Sequence, residues 1–253
     1  MNPTLYMKCR PEDVSPYVIF SGDPWRVEVL KNYLDNPLHI GFHREYNTYT
    51  GTYKGVRVTV TSTGIGAPSA AIAMEEMYEC GMKVAIRMGT IMALEDDLLG
   101  AYVVPIGSVR DEKTSATYVR EGYPAVADFD LVHSITKTLR LHGQHVRNGI
   151  NATMDGYYSQ MKESRLSRER KTDVDAIFAD LKKNKVTGID MESSCMLTVG
   201  RLMGVKTASL TLVTVLENLK DMLRDQERID KEAELCRLTL EAVVDYDKEY
   251  HHD

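Results

Sequence analysis

The sequence predicts a single α/β layered domain. Three observations carry this reading. Short apolar runs alternate with amphipathic stretches along almost the whole chain. Its 253 residues, 43% hydrophobic and 27% charged, have the balance of a globular protein long enough to bury a core without covalent staples. No internal repeat, low-complexity tract or Pro/Ser-rich linker interrupts it, so residues 1–253 read as one domain.

The elements follow in order. Tyr17-Val18-Ile19-Phe20 is a short apolar run, read as a buried strand. It stops at Ser21-Gly22-Asp23-Pro24, where Pro suits the first position of a helix that carries Val27, Leu30 and Leu34. Residues 46–53 and 56–62 form two strands, with Lys54-Gly55 as a hairpin turn. The glycine-containing loop Thr63-Gly64-Ile65-Gly66-Ala67-Pro68-Ser69 opens a helix that runs to about Cys80 and stops at Gly81. Val84-Ala85-Ile86 is a strand leading into Arg87-Met88-Gly89-Thr90. Residues 102–109 form a further strand, and Asp128 caps a helix carrying Leu131, Ile135 and Leu139. A strand at 146–152, a polar surface loop at 165–173, an amphipathic helix at 173–183 and a more buried helix at 190–203 come next. A strand at 205–215 and a long charged helix at about 223–244 complete the pattern.

Composition narrows the function classes. With 31 Lys+Arg against 37 Asp+Glu the net charge is −6, which argues against a nucleic-acid partner but not against a small anion held by a few arginines. Cys9, Cys80, Cys195 and Cys236 show no CxxC or zinc spacing and read as reduced thiols. The first 13 residues lack an apolar core, and no run reaches the ~18 apolar residues of a membrane span. The expected location is the cytoplasm, with no membrane partner. His39, His43, His133, His142, His145, His251 and His252 form no metal-binding array, and no nucleophile elbow, Walker loop or full dinucleotide fingerprint is present.

Five stretches carry side chains suited to chemistry, and each also has a structural reading. At Gly22-Asp23-Pro24 and Arg26, a strand-to-helix turn offers backbone N–H groups and a guanidinium to an anion; it is equally a tight turn with a solvated Arg. Arg87 closes an apolar strand, where open α/β sheets gather ligands; without a ligand it requires a buried carboxylate. His43-Arg44-Glu45 is by itself a charged loop. In Asp190-Met191-Glu192-Ser193-Ser194, Asp190 suits a helix cap, while Glu192 falls where burial begins and needs a partner such as Arg87 or a polyol. In the stretch from Asp155 to Gln160, Tyr157 and Tyr158 suit stacking, and Gln160 with Arg165 suits an amide-like edge; the alternative is a tyrosine-bearing loop.

Taken in order, these stretches, with Tyr123-Pro124-Ala125-Val126-Ala127-Asp128, resemble the nucleoside phosphorylases of the trimeric/hexameric class, nearest in pattern to the uridine-specific members. The likeness spans roughly residues 6–215. It implies a three-layer α/β/α fold around a central mixed, barrel-like sheet. It implies phosphorolysis of uridine by inorganic phosphate to uracil and ribose 1-phosphate, with no organic cofactor. On this resemblance Gly22, Arg26, Arg87 and Thr90 match the phosphate site, and Arg44 the phosphate arginine from a neighbouring subunit. Met191 and Glu192 match the ribose pair, Tyr157 the aromatic against sugar and base, and Gln160 and Arg165 the uracil-reading pair. Arg26, Arg87 and Arg165 would carry the chemistry. Glu45, Ile65 and Ser69 match a monovalent-cation site. The shared site implies a homo-oligomer, at least a dimer and a hexamer by the family pattern.

Two positions depart from that pattern. Met92 stands where the family has Gly beside the base, and Tyr6 replaces a His that reaches the neighbour's ribose 5′-hydroxyl. These departures leave two alternatives open: a shifted deoxyribonucleoside or purine nucleoside substrate, or an impaired homologue acting as a ligand-binding or partner subunit.

Overall fold

The computed structural model describes residues 2–250, except for the side chain of Asn218. At its centre, β1 (Tyr17–Ser21) is buried at all five positions, as an apolar strand covered on both faces should be. It runs parallel to β4 (Val56–Ser62) on one edge and to β5 (Val84–Ala93) on the other. β5 is shared between two parts of the sheet. Along its length it pairs in parallel with β12 (Lys206–Leu216), and its last residues pair antiparallel with β11 (Val186–Asp190).

From β11 the sheet continues through β10 (Ile150–Thr153) to β7 (Gly107–Arg110) and β8 (Ala125–Val126). From β12 it continues through β6 (Tyr102–Val103) to β9 (Val146–Arg147). The Val104 N–H donates to the Arg147 carbonyl (3.0 Å) and the Ile106 N–H to that of Gly149 (2.9 Å), which joins these two arms. The ring is thereby closed, giving the mixed, barrel-like sheet implied by the resemblance.

Beyond β4 the sheet extends as a meander of β2 (Asp35–His43), β3 (Tyr46–Tyr53) and β4. The β3–β4 turn is Lys54-Gly55, both at positive φ (49° and 88°), the backbone a two-residue hairpin requires. β2 is a strand absent from the sequence reading. It is an exposed edge containing Pro37, without the alternation that marks a half-buried strand.

Helices cover both faces. α1 (Pro24–Lys31), α3 (Phe129–Leu141) and α7 (Asp225–Tyr250) bury Leu30, Ile135 and Leu238 in one core with Ile19, Ile86 and Leu210. α2 (Ala67–Glu79) and α6 (Ser193–Met203) bury Met74, Met77 and Val199 in a second core with Val18, Phe20 and Ala85. The third cluster places Phe178 and Leu181 of α5 (Val174–Lys183) against Ala152 and Ile189.

Caps lie where side-chain chemistry places them. Asp23 accepts the Trp25 N–H (2.9 Å), Asp128 the Leu131 N–H (3.1 Å), and Gly81 at φ 98° ends the α2 turn. Some boundaries move. Residues 102–109 divide into β6 and β7 at Pro105, which has no N–H for the ladder, and 146–152 divides opposite it. α6 starts at Ser193 because Asp190 completes β11. A five-residue helix, α4 (Arg165–Glu169), stands in the stretch read as loop, closed by a Ser164–Ser167 capping box. Among the described residues no helix is long and apolar enough to cross a membrane.

Candidate active site

β1 and β5 end side by side, with Ser21 paired to Met88. A cavity of about 820 Å³ opens beyond these carboxyl ends, the place where open α/β sheets bind ligands. From β1 and its turn come Gly22, Asp23 and Arg26; from β5 come Arg87, Gly89, Thr90, Ile91 and Met92. Gly22 is needed for the approach of two loops, since a Cβ there would lie 3.3 Å from the Gly64 carbonyl oxygen. Gly89 is needed for Arg87 itself: a Cβ at Gly89 would come within 2.5 Å of Arg87 Nη1.

Arg87 is buried between two carboxylates. Its Nη2 donates to Glu192 Oε2, and its Nη1 lies 3.3 Å from Asp190 Oδ2. Burial works against the guanidinium charge, but Asp190 and Glu192 outweigh it and hold the group above its usual range. Nη1 has Asp190 as an ion-pair partner but makes no hydrogen bond of good geometry, so this buried donor is held by charge alone. Glu192 accepts the Gly66 N–H at Oε1 (2.6 Å) as well as Arg87 at Oε2. Each of its oxygens keeps a further lone pair for a ligand hydroxyl. Asp190 is fixed from below by Ser193 and by Thr153 Oγ1, which donates at 2.7 Å.

Arg26 is 8% exposed and is held by Glu232 of α7, with Nε to Oε2 at 3.0 Å and Nη2 to Oε1 at 3.3 Å. Burial opposes the charge on Glu232, yet Arg26 and then Arg228 hold its carboxyl below the usual carboxylate range. Met92, Met161 and Ile189 of the third core cluster form an apolar wall, with Tyr157, Met191, Val215 and Leu219 packed against it. Burial, and secondarily Tyr158, pushes the Tyr157 phenol up. The cavity thus has arginines at the strand ends, a carboxylate pair in the middle and an apolar wall. It can hold an anion, a polyol and a flat apolar ring together.

Of the residues singled out in the sequence, Gly22, Arg26, Arg87, Thr90, Met92, Tyr157, Met191, Glu192 and Ile65 line this cavity. Gln160 and Arg165 do not. Gln160 Oε1 is folded back onto the Gly156 N–H (2.8 Å), closing a π-helical turn at Tyr157–Met161. The Arg165 side chain is 89% exposed and paired with Glu169 on α4 (2.8 Å). In this structure the base-reading pair implied by the resemblance therefore does not line the cavity, because local helical bonds claim both side chains. Arg44 and Tyr6 also lie outside the cavity but meet each other, the Arg44 guanidinium 5.3 Å from the Tyr6 ring centre at the β2–β3 turn. Glu45 lies at Gly64 with Ser69, and Ser69 Oγ donates to the Thr63 carbonyl.

The sequence reading missed Met161, Leu219, Met222 and Arg228. Arg228 and Glu232 stand four apart on a charged helix, a spacing that reads as a solvated pair (2.9 Å). Among the described residues no cluster of His, Cys, Asp and Glu is placed to hold a metal ion; His251 and His252 lie outside them.

Comparison with known proteins gives this geometry a lineage. The sequence model of the Phosphorylase superfamily matches residues 16–245. The chain belongs to this superfamily. The uridine phosphorylase of Thermococcus kodakarensis is 36% identical over 209 residues, covering 82% of this chain and 76% of the relative. The crystal structure of uridine phosphorylase from Vibrio fischeri superposes with a TM-score of 0.85 at 32% identity, covering 96% of this chain and 98% of that one. The purine nucleoside phosphorylase of Toxoplasma gondii, solved with immucillin-H, superposes with a TM-score of 0.84 at 27% identity, covering 99% and 98%. The phosphorylase superfamily fold, a mixed sheet between helical layers, is therefore the fold of this chain.

Proposed function

We propose that the protein catalyses phosphorolysis of a nucleoside, with uridine as the preferred substrate. The observation that carries the proposal is the convergence of two buried arginines, Arg26 and Arg87, on one cavity, which suits an oxyanion. In this reading phosphate lies against Gly22, Arg26, Arg87 and Thr90. Ribose hydroxyls bond to Glu192 over Met191, and the base packs against Tyr157 and Met92. Phosphate attacks the anomeric carbon, the glycosidic bond breaks through an oxocarbenium-like sugar, and the base leaves with the bonding electron pair. Uracil spreads that charge over its carbonyls, so no carboxylic acid is needed at the base. The end of β12 beside the apolar wall, residues 212–216, carries no carboxylate. This supports uracil over a purine, as does the likeness to uridine phosphorylases.

Room for the nucleoside remains with Ile91 and Met92 in place, since both line a cavity of about 820 Å³ and are packed into neighbouring cores. Arg44 and Tyr6, outside this chain's own cavity, complete the site of a second copy, which makes the working enzyme a homo-oligomer of at least two chains. Inorganic phosphate is the co-substrate and no organic cofactor is required. The group of Glu45, Ile65 and Ser69 is carried in the reading as a monovalent-cation site, and the cytoplasm as the enzyme's place.

The purine relatives define a second reading, in which inosine or guanosine is the better substrate. A panel of uridine, thymidine, inosine and guanosine with saturating phosphate separates the two. The highest kcat/KM for uridine is expected, and a higher value for either purine nucleoside reverses the assignment.

A further inference from the structure

Glu232 has no part in the reaction described above, yet it touches two cavity arginines. It lies on α7. Its carboxylate takes Nε and Nη2 of Arg26 at 3.0 and 3.3 Å and, on Oε1, Nε of Arg228 at 2.9 Å. Asp23, nearer in sequence, is committed elsewhere as the cap of α1. Glu232 accepts from Nε and Nη2 of Arg26, not from Nη1. A guanidinium is a rigid planar fork, so fixing one edge orients the other. The edge that Glu232 leaves open belongs to a residue lining the cavity.

We propose that Glu232 is a positioning residue for anion binding: it aims the free edge of Arg26 into the cavity and holds Arg228 at the same rim. The inference rests on the reading of Arg26 as a phosphate ligand. A carboxylate beside an anion site would ordinarily weaken anion binding by repulsion, and this fixes the sign of the test. If Glu232 acts only as a counter-charge, its removal tightens phosphate binding. If it positions Arg26, its removal weakens binding, because the fork must then be ordered by the ligand itself.

The experiment is calorimetric titration of the full chain with inorganic phosphate, alongside steady-state kinetics, for wild type, Glu232→Gln and Glu232→Asp. Glu232→Gln is expected to raise the phosphate Kd and KM about tenfold, as loss of a charged hydrogen-bond partner should. The uridine KM should stay within about twofold, because that substrate's other contacts are untouched. Glu232→Asp, which keeps the charge but shortens the reach, is expected to fall between, and it decides the matter if Glu232→Gln does not fold. Unchanged or tighter phosphate binding in the variants overturns the proposal. A wild-type chain that fails to bind phosphate overturns the underlying reading of Arg26 instead.

Discussion

Arg87 shows how far single residues determine this site. A buried guanidinium without partners would cost several kcal/mol, so the presence of Arg at the end of an apolar strand already required a carboxylate nearby. Glu192 meets that requirement, as its own position in the sequence suggested, and Asp190 adds a second charge. What could not be read from the sequence is that Gly89 is the space into which the Arg87 side chain folds. Gly89→Ala should displace the guanidinium, and kcat/KM is expected to fall by about a hundredfold, the cost of misplacing a ligand-orienting group by an ångström. Melting temperature should fall as well, because buried Asp190 and Glu192 lose part of their partner; steady-state kinetics and a thermal melt on the same sample check both. Arg228 is the opposite case. Spacing of four from Glu232 on a charged helix looks like solvated surface, and only the packing of α7 over α1 turns that pair toward the cavity.

Elements were legible where local chemistry decides the backbone. Lys54-Gly55 between two Thr/Tyr-rich runs specifies its turn, and the structure puts both residues at positive φ. A Cβ on Gly55 meets no atom within 4 Å, so Gly55→Ala should cost only the conformational penalty, about 1 kcal/mol, seen as a lowered denaturation midpoint with unchanged activity. Elements were illegible where tertiary position decides. β2 is held by pairing to β3 and shows no periodicity of its own, and the strand at 102–109 is divided by Pro105, before which the Val104 carbonyl accepts from Asn148 Nδ2 (3.0 Å). The stretch from the π-helical turn to α4 matters most for function. The resemblance aimed Gln160 and Arg165 at the base, but in this structure they bond to Gly156 and Glu169. Arg165→Ala is therefore expected to leave kcat/KM for uridine within about twofold, as for an exposed ion pair; a large loss would mean that this segment refolds over the bound base.

At the scale of the molecule, the net charge of −6 is a surface property. The acidic segment at 95–97 is paired outward, Glu95 and Asp97 to Arg147 and Asp96 to Lys220, while the cavity collects Arg26, Arg87 and Arg228. Several carboxylates on α7 tie that helix to the rest, and three of them are shifted by their partners. Glu232 binds Arg26, Glu234 accepts from Tyr102 (3.1 Å) and Glu241 from Tyr53 (2.8 Å) and Lys54. At each, burial opposes the charge but the partners hold the carboxyl below its usual range. A lowered folded-state value contributes stability that is present above the ordinary Glu range and is lost as pH falls through the folded value. Melting temperature should therefore drop as pH falls below about 5, and Glu241→Gln should flatten that slope. Arg44 belongs to the same scale: Arg44→Ala should weaken phosphate binding with little loss of stability, while activity and a greater-than-monomer mass in solution go together.

The central claim is phosphorolysis in the cavity at the ends of β1 and β5, and its most direct test is release of uracil from uridine by the purified full chain, followed with and without inorganic phosphate. The account predicts uracil and ribose 1-phosphate in equal amounts, formed only when phosphate is present. Absence of release at micromolar enzyme and saturating phosphate, or release that proceeds equally well without phosphate, would contradict it.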